Sequence, residues 1–380
     1  MTDTDAIQSD DTGSGASAAA GAGAGATAPA HAAHAPSGAA AVPTGGALSH
    51  EALASVVQMR DRIAAEVARV WIGPVEVVHL ILASMLARGH VLLEGVPGLA
   101  KTTLANAIAR SVGCDFRRIQ FTPDLLPADI TGTYVLHQSR QEFELRRGPL
   151  FAQVVLADEI NRAPAKTQSA LLEAMQERQV TIEGETHRLP EPFLVLATQN
   201  PAEQQGVYML PEAQIDRFLV RIRLDYPSQS DELRMLLAHA TTPAPVQAVS
   251  SLQELLATGA LVDAVHTEER VLSYAVRLVT ATREHGRVAL GASPRATLGL
   301  VRLARASCLL QGKDFVTPDD IKRLLTPVLE HRVMVTTDAA IEGTTAADVV
   351  DEVGRRTAIV ESSRSDRALP DAPTWAGSKG

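Results

Sequence analysis

The sequence predicts an α/β fold in which a parallel sheet precedes a smaller, all-helical domain. Three short segments, 91–93, 154–157 and 193–197, are continuously apolar, which is typical of strands buried on both faces in a parallel sheet. From about Ser228 onward, apolar residues recur at helical spacing instead. We therefore predict a nucleotide-binding α/β core over 48–227 and a helical lid domain over 228–345.

The two ends of the chain differ from this pattern. Residues 1–47 are rich in Ala, Gly, Ser and Pro and have no Lys or Arg, so we expect a disordered extension. Residues 346–380 are predicted to form a polar tail. No apolar run reaches the ~18 residues of a membrane-spanning helix, and acidic residues stand where a secretory signal carries positive charge. We expect a cytoplasmic protein without a membrane segment.

The helical region offers four candidate helices, two of which have marked starts. Ser293-Pro294 and Thr317-Pro318 each combine an N-cap hydroxyl with proline at the first helical position. The candidate helices cover 231–239, 268–285, 294–310 and 318–325.

A glycine-rich turn follows the first apolar strand and leads into a helical pattern that begins at Thr103. It consists of Gly95, Val96, Pro97, Gly98, Leu99, Ala100, Lys101 and Thr102. Such a turn points backbone N–H groups at phosphates from a helix N-terminus. Lys101 would reach the β and γ phosphates and Thr102 would ligate Mg²⁺, so ATP and Mg²⁺ are the expected ligands. Ala100 departs from the general pattern, which has glycine there.

The second apolar strand ends in two carboxylates, Asp158 and Glu159. At the carboxyl end of a strand beside a phosphate-binding turn, Asp158 would hold Mg²⁺ through its water shell, and Glu159 would polarise the attacking water. Taken alone, the Asp-Glu pair is also consistent with a strand that merely enters a turn.

The third strand is followed by Asn200, whose amide could orient the same water. Residues 211–218 then read as a short helix that carries Arg217 near its end. An arginine there is either a solvated surface charge or a catalytic cation.

These segments together resemble the MoxR family of AAA+ ATPases, over about residues 50–335. The resemblance is carried by 95–102, 155–168, 197–201 and 210–218, and it includes Ala100, because that family usually has alanine before the P-loop lysine. It implies that Lys101 and Thr102 form Walker A and that Asp158 and Glu159 form Walker B. It further implies that Asn200 is sensor 1 and that Arg217 is the arginine finger.

The resemblance also assigns residues that the pattern alone leaves open. Arg295 is implied to be sensor 2, which touches the γ phosphate from the lid, whereas without the family it reads as a solvated charge. Two predicted hairpins, at 133–145 and 180–189, are implied to face a ring pore, and inert surface hairpins stay open as the alternative. At 71–74, Trp-Ile-Gly-Pro replaces the family's usual Val-Gly-Gln type of segment near the adenine.

In this family the resemblance implies a homo-oligomeric, hexameric ring. It would be a chaperone-like remodeller of client proteins, often working with a von Willebrand factor A domain protein in maturation or metal insertion. Two alternatives stay open: the motor subunit of a metal chelatase, and a nucleotide-gated binding module with little hydrolysis.

Composition limits the partners. The net charge of −9 and the absence of a basic stripe argue against a nucleic-acid backbone as the main partner. The two cysteines, Cys114 and Cys308, are far apart and have no His or Cys at ligand spacing, so neither a disulfide framework nor a zinc site is expected.

Overall fold

The computed structural model of the protein describes residues 48–96, 98–199, 208–239 and 245–359. All of them fall in one compact unit that begins at Pro43. In these ranges no helix is both long and apolar enough to span a membrane, and Cys114 and Cys308 are buried and unpaired.

The described residues form strands β1 Val91–Gly95, β2 Phe116–Gln120, β3 Gly132–His137, β4 Glu142–Arg147, β5 Val154–Asp158, β6 Gln179–Ile182, β7 Glu185–Arg188, β8 Leu194–Gln199, β9 Val220–Leu224, β10 Val288–Leu290 and β11 Met334–Val335. Five of them make a parallel sheet at the centre of the core, in the order β2-β5-β8-β1-β9. The three predicted strands are β1, β5 and β8, which are neighbours in the middle of this sheet.

The helices cover both faces of the sheet and build the lid. They are α1 His50–Ala68, α2 Val75–Leu86, α3 Lys101–Ser111, α4 Pro127–Thr131, α5 Ala165–Glu177, α6 Glu212–Ile215, α7 Gln229–His239, α8 Leu252–Leu261, α9 Glu269–Arg283, α10 Pro294–Leu310, α11 Pro318–Arg323, α12 Leu325–Leu329, α13 Thr337–Ile341 and α14 Ala346–Arg356.

Successive residues of the central strands enter two separate hydrophobic clusters. In β1, Val91 and Leu93 belong to the cluster that contains α1, α2 and α3, whereas Leu92 belongs to the cluster that contains α5. The same alternation separates Leu156 from Val155 in β5. Burial on both faces explains why these strands read as unbroken apolar runs and confirms the predicted parallel α/β core.

The two outer strands, β2 and β9, were not predicted. Each interrupts its apolar residues with polar or charged ones, as VRIRL in β9 and FRRIQ in β2, because an outer strand has less of its surface covered by neighbours. The predicted helix over 211–218 is also shorter than expected. α6 ends at Ile215, and Arg217 lies in the turn before β9.

Both predicted hairpins form. β3 pairs with β4, and β6 pairs with β7, each antiparallel. In the second hairpin the loop is shorter than predicted, since Glu185 already pairs with Ile182. Only Glu183 and Gly184 lie in the turn, both at positive φ, as a two-residue type I′ connection requires.

The lid differs from the prediction in three respects. It is not purely helical, because β10 and β11 pair antiparallel. The helix predicted over 318–325 is divided into α11 and α12. Residues 346–356, predicted as part of a polar tail, form α14, which buries Val349, Val350 and Val353 in the main hydrophobic cluster. The predicted tail boundary is therefore wrong. Five of the eleven residues of α14 are charged, so the segment reads as polar in the sequence although its valines form one buried face.

The buried His90 ties three elements together just before β1. Its Nδ1 accepts a hydrogen bond from the Val195 amide at 3.0 Å, so its proton lies on Nε2, which donates to the Met175 carbonyl at 3.0 Å. Burial lowers the pKa of His90 from 6.5 to about 4. The ring is therefore neutral in the folded protein at neutral pH.

We expect the free energy of unfolding to fall on acidification because of this residue. Between pH 6.5 and about 4 the unfolded chain binds a proton that folded His90 does not, so stability is lost as the pH drops through that window. The loss is about 3 kcal/mol in full. Urea unfolding at pH 7 and pH 4.5 measures it.

His90→Gln, which keeps a donor and an acceptor but does not titrate, is the comparison for that measurement. It should lose distinctly less stability than the wild type over the same interval. Equal losses in the two proteins would show that His90 does not contribute. Some dependence should persist in the variant, because burial also lowers the pKa of His331.

Candidate functional site

The loop after β1 has the conformation of an anion-binding turn. Gly98 and Ala100 lie at φ +89° and +51°, and a Cβ on Gly95 would stand 2.7 Å from the Leu224 carbonyl oxygen. α3 then begins at Lys101 with neither a side-chain cap nor an acidic residue in its first turn. Its first N–H groups are therefore left for a bound anion. Pro97, also predicted to bind nucleotide, lies outside the described residues.

Lys101 lies beside the loop and near the acidic residues of the site. Its Nζ donates to the Gly95 carbonyl oxygen at 2.5 Å. Burial lowers the pKa of Lys101, and the nearby carboxylates Asp158, Glu159 and Glu94 oppose that shift. Among the described residues this half-buried ammonium bonds one backbone carbonyl, a partner that it can exchange for a phosphate.

Asp158 is the last residue of β5 and has partners on both neighbouring strands. Thr198 of β8 donates its hydroxyl to Oδ1 at 2.6 Å. Arg118 of β2 donates to Oδ2 from Nε at 3.0 Å and from Nη2 at 2.7 Å. The carboxylate is therefore fixed in orientation at the carboxyl edge of the sheet.

Glu159 follows at φ +56°, a left-handed conformation that costs about 1–2 kcal/mol in a residue with a side chain. Its amide donates to the Thr198 hydroxyl at 2.8 Å. One carboxylate oxygen, Oε2, accepts from Gln120 at 2.8 Å and from Arg162 at 2.9 Å. Strained residues persist where the surrounding structure holds them, and here the strain turns Glu159 away from the strand direction.

The residues at this edge fit Mg²⁺ and a nucleotide. Thr102 and Asp158 offer hydroxyl and carboxylate oxygens, the donors that Mg²⁺ prefers, and two protein ligands suffice for an ion that keeps most of its waters. The described residues contain no cluster of three His, Cys, Asp or Glu that could hold a metal ion.

Sequence reasoning missed Arg118, Gln120 and Thr198. Arg118 and Gln120 are alternate residues of β2, so they share one face of that strand. The strand was not predicted because its sequence is mostly polar. The signal available was this alternation, in which Ile119 is buried between two exposed polar neighbours.

A second site lies at the opposite edge of the sheet, where Gly89 and His90 precede β1 and Leu219 precedes β9. There a cavity of about 280 Å³ is lined by several arginines and, within the described chain, by one acid, Asp216. We call it the arginine pocket. Its arginines are Arg88, Arg178, Arg217, Arg295, Arg302 and Arg332.

Asp216 anchors the arginine pocket to the lid. Arg332, which is buried, donates from Nε to Asp216 Oδ1 at 2.7 Å. Ser293 donates its hydroxyl to both carboxylate oxygens at 3.1 and 3.2 Å, and Arg295 Nη1 lies 3.9 Å from Oδ2. Ser293 therefore starts α10 without capping it, contrary to the prediction, whereas Thr317 caps α11 as predicted.

The arginine pocket carries excess positive charge. Burial, together with like-charge repulsion from Arg88 and Arg302, lowers the pKa of Arg178. The Nε atoms of Arg217 and Arg302 are buried without a hydrogen-bond partner among the described residues. Such a cavity favours an anion.

The structure brings Arg217 and Arg295 together but does not bring either to Lys101. β1 separates the two edges, and its five residues span about 16 Å. The expectation that Arg295 shares a site with Lys101 inside one chain is therefore wrong for this arrangement, because the lid packs against the amino edge of the sheet.

The chain matches two sequence models and several known proteins. The ATPase family associated with various cellular activities (AAA) matches residues 90–220, and the AAA lid domain matches residues 280–353. The chain is 45% identical to Chaperone MoxR1 of Mycobacterium tuberculosis over 329 residues, which cover 84% of this chain and 86% of that relative. The chain belongs to the MoxR family of AAA+ ATPases.

Other members of the family agree with this. Protein MoxR of Paracoccus denitrificans is 33% identical over 292 residues, covering 70% of this chain and 85% of the relative. The crystal structure of an inferred ATPase from Cytophaga hutchinsonii superposes with a TM-score of 0.77 at 40% identity, covering 82% of this chain and 98% of that one.

In this MoxR-family chain the 71–74 segment lines a cavity beside the phosphate-binding loop. The cavity, about 180 Å³, is also bordered by Leu99, by 223–228 and by Met235. Gly73 is required there, since a Cβ would come within 2.3 Å of the Trp71 ring. Asn200, the predicted sensor 1, lies outside the described residues, just beyond the end of β8.

Proposed function

We propose that this MoxR-family chain is one subunit of a six-membered ring that hydrolyses ATP at sites shared between neighbouring subunits. The observation that carries the proposal is the separation of Lys101 from Arg217 and Arg295 at opposite edges of one sheet. Efficient transfer of a γ-phosphoryl group uses both the lysine of the phosphate-binding loop and an arginine finger that reaches the same phosphate. Two copies placed edge to edge supply them, whereas one copy cannot.

In the proposed site, Lys101 and the loop 95–100 bind the β and γ phosphates. Thr103, in the first turn of α3, also contacts the nucleotide. Thr102 and Asp158 would hold Mg²⁺, which would neutralise phosphate charge when bound. Glu159 accepts a proton from the attacking water, and Asn200 orients that water.

The neighbouring subunit contributes the arginine pocket. Arg217 and Arg295 both line this pocket, and Arg217 Nε has no hydrogen-bond partner among the described residues. We assign the two arginines together to the γ phosphate of the adjacent site. This revises the role of Arg295 from a contact within its own chain to a contact across the interface. The adenine would lie in the cavity formed by Trp71, Leu99 and Met235, where apolar side chains suit a heterocyclic base.

Client proteins are the proposed targets, as in a chaperone-like remodeller of the cytoplasm, with a von Willebrand factor A domain protein as an expected partner. One described surface suits such contacts. Leu136 and Phe143 are opposed on β3 and β4, with 49% and 70% of their surfaces exposed. The Tyr134 hydroxyl donates to Glu185, which ties this hairpin to β7.

Hydrolysis is favoured over a purely nucleotide-gated switch. A switch needs no general base, and Glu159 is held in a strained conformation beside Asp158 at the end of β5. Strain of this kind is retained when the residue has a chemical task.

Lys101→Ala tests nucleotide binding directly. We expect the variant to lose tight binding of Mg²⁺ and a non-hydrolysable ATP analogue in titration calorimetry, because the polyphosphate loses the cation that reaches it from α3. Lys322→Ala, which removes an exposed lysine of the lid, is the matched control and should bind as the wild type does. Unchanged affinity in Lys101→Ala would refute the proposed site.

A further inference from the structure

Arg118 forms a charged contact with the proposed Mg²⁺-binding carboxylate that the reaction itself does not require. It lies on β2, the outer strand of the sheet, with about half of its side chain exposed. Both of its contacting nitrogens donate to the same oxygen, Asp158 Oδ2. The other oxygen, Oδ1, already accepts from the Thr198 hydroxyl.

These contacts leave Asp158 with one displaceable partner. The Thr198 hydroxyl is buried in the middle of the sheet and also accepts from the Glu159 amide, so it is fixed by two neighbours. Arg118 reaches Oδ2 from the exposed edge on a long, flexible side chain. A cation at Oδ2 and a hydrated Mg²⁺ beside it repel each other and compete for the same lone pairs.

Gln120 continues the contact toward the general base. Arg118 Nη2 donates to Gln120 Oε1 at 2.6 Å, and Gln120 Nε2 donates to Glu159 Oε2 at 2.8 Å. One continuous chain of hydrogen bonds thus links Asp158 to Glu159 through two alternate residues of β2. The Gln120 amide is oriented by Arg118, because its oxygen faces the guanidinium and its nitrogen therefore faces Glu159.

We infer that Arg118 is a positioning residue that occupies Asp158 Oδ2 in the metal-free protein and must leave it before Mg²⁺ is bound. Its departure removes the partner that orients Gln120, so that loading of the metal site changes the hydrogen bonding of Glu159. Arg118 thereby sets how much Mg²⁺ the protein needs and couples metal loading to the base. This inference rests on the proposed nucleotide site.

The test is the Mg²⁺ concentration that gives half-maximal binding of a fluorescent, non-hydrolysable ATP analogue, which requires no turnover. Arg118→Met should lower that concentration by about fivefold, a typical size for coupling between two bound groups. Arg117→Met removes the same charge from the adjacent, exposed residue of β2 and should leave it unchanged. Equal Mg²⁺ requirements in the two variants would overturn the inference.

Arg118→Lys provides a second variant that keeps the charge but loses the two-nitrogen contact, and its Mg²⁺ requirement should lie between those of Arg118→Met and the wild type. A requirement below that of Arg118→Met contradicts competition at Oδ2. Failure of the wild type to bind the analogue at any Mg²⁺ concentration would instead remove the proposed function.

The link through Gln120 is tested by a double-variant cycle in the same assay. Gln120→Met should lower the Mg²⁺ requirement less than Arg118→Met does. It removes one hydrogen bond that orients Arg118 but leaves the Arg118 contact with Asp158 in place. The double variant should match Arg118→Met alone. Independent, multiplicative effects of the two substitutions would show that Gln120 does not act through Arg118.

Discussion

Mixing Lys101→Ala chains with Arg217→Ala chains is expected to restore ATP hydrolysis that neither variant shows alone. Arg217→Ala should lose about 10³-fold or more in turnover, the usual contribution of an arginine finger. Lys101→Ala should be similarly inactive, because it loses the cation that binds the β and γ phosphates. In a mixed ring, an Arg217→Ala subunit supplies an intact phosphate-binding loop and its Lys101→Ala neighbour supplies an intact finger. With equal amounts and random order, about a quarter of the interfaces are complete.

A matched control separates true complementation from restored folding. Arg217→Ala mixed with a chain that carries both substitutions contains intact loops but no intact finger, so it should stay inactive. Formation of mixed rings is checked by co-purification of differently tagged chains. Mixed rings that hydrolyse no more ATP than the separate variants would show that Arg217 does not act across an interface.

Glu159→Gln is expected to bind ATP with near-normal affinity and to lose turnover by about 10²-fold or more. The amide keeps the shape of the side chain but cannot accept a proton from water. Single-turnover hydrolysis measures the loss and calorimetry measures the binding. The trapped protein should also remain assembled, because its interface stays filled with nucleotide.

Glu177→Gln is the comparison for this change, since Glu177 is an exposed residue near the end of α5. It should hydrolyse ATP as the wild type does. A Glu159→Gln protein that retained wild-type turnover would mean that Glu159 is not the base, and the nucleotide-gated alternative would then regain support.

Local stretches of sequence predicted the phosphate-binding turn and the acid pair. The turn from Gly95 to Thr102 and the Asp158-Glu159 pair each depend on neighbours in the chain, and so the residue types and their order reveal them. The central strands were predictable for the same reason, because burial on both faces leaves an unbroken apolar run.

The other contacts of the site depend on which strands become neighbours in the sheet and on how the lid packs. Arg118 and Asp158 are 40 residues apart in the chain and meet because β2 pairs with β5. Asp216 and Arg332 are 116 residues apart. No local pattern encodes either pair. The contact predicted for Arg295 depended on packing in the same way. The family resemblance identifies the residue, but the edge of the sheet against which the lid packs decides which phosphate Arg295 can reach.

The anchoring of Asp216 bears on how a ring of these subunits would move. One carboxylate, next to Arg217 in sequence, binds Ser293 at the start of α10 and the buried Arg332 that precedes β11. Arg332 also donates to the Phe218 and Leu219 carbonyls just before β9. These contacts join lid and core beside Arg217, so in the proposed ring we expect the two to rotate together. In that ring, bending would be confined to the interfaces between subunits, where we propose that the nucleotide binds. Each hydrolysis event would then change the angle between two neighbouring subunits and leave each subunit's own shape unchanged.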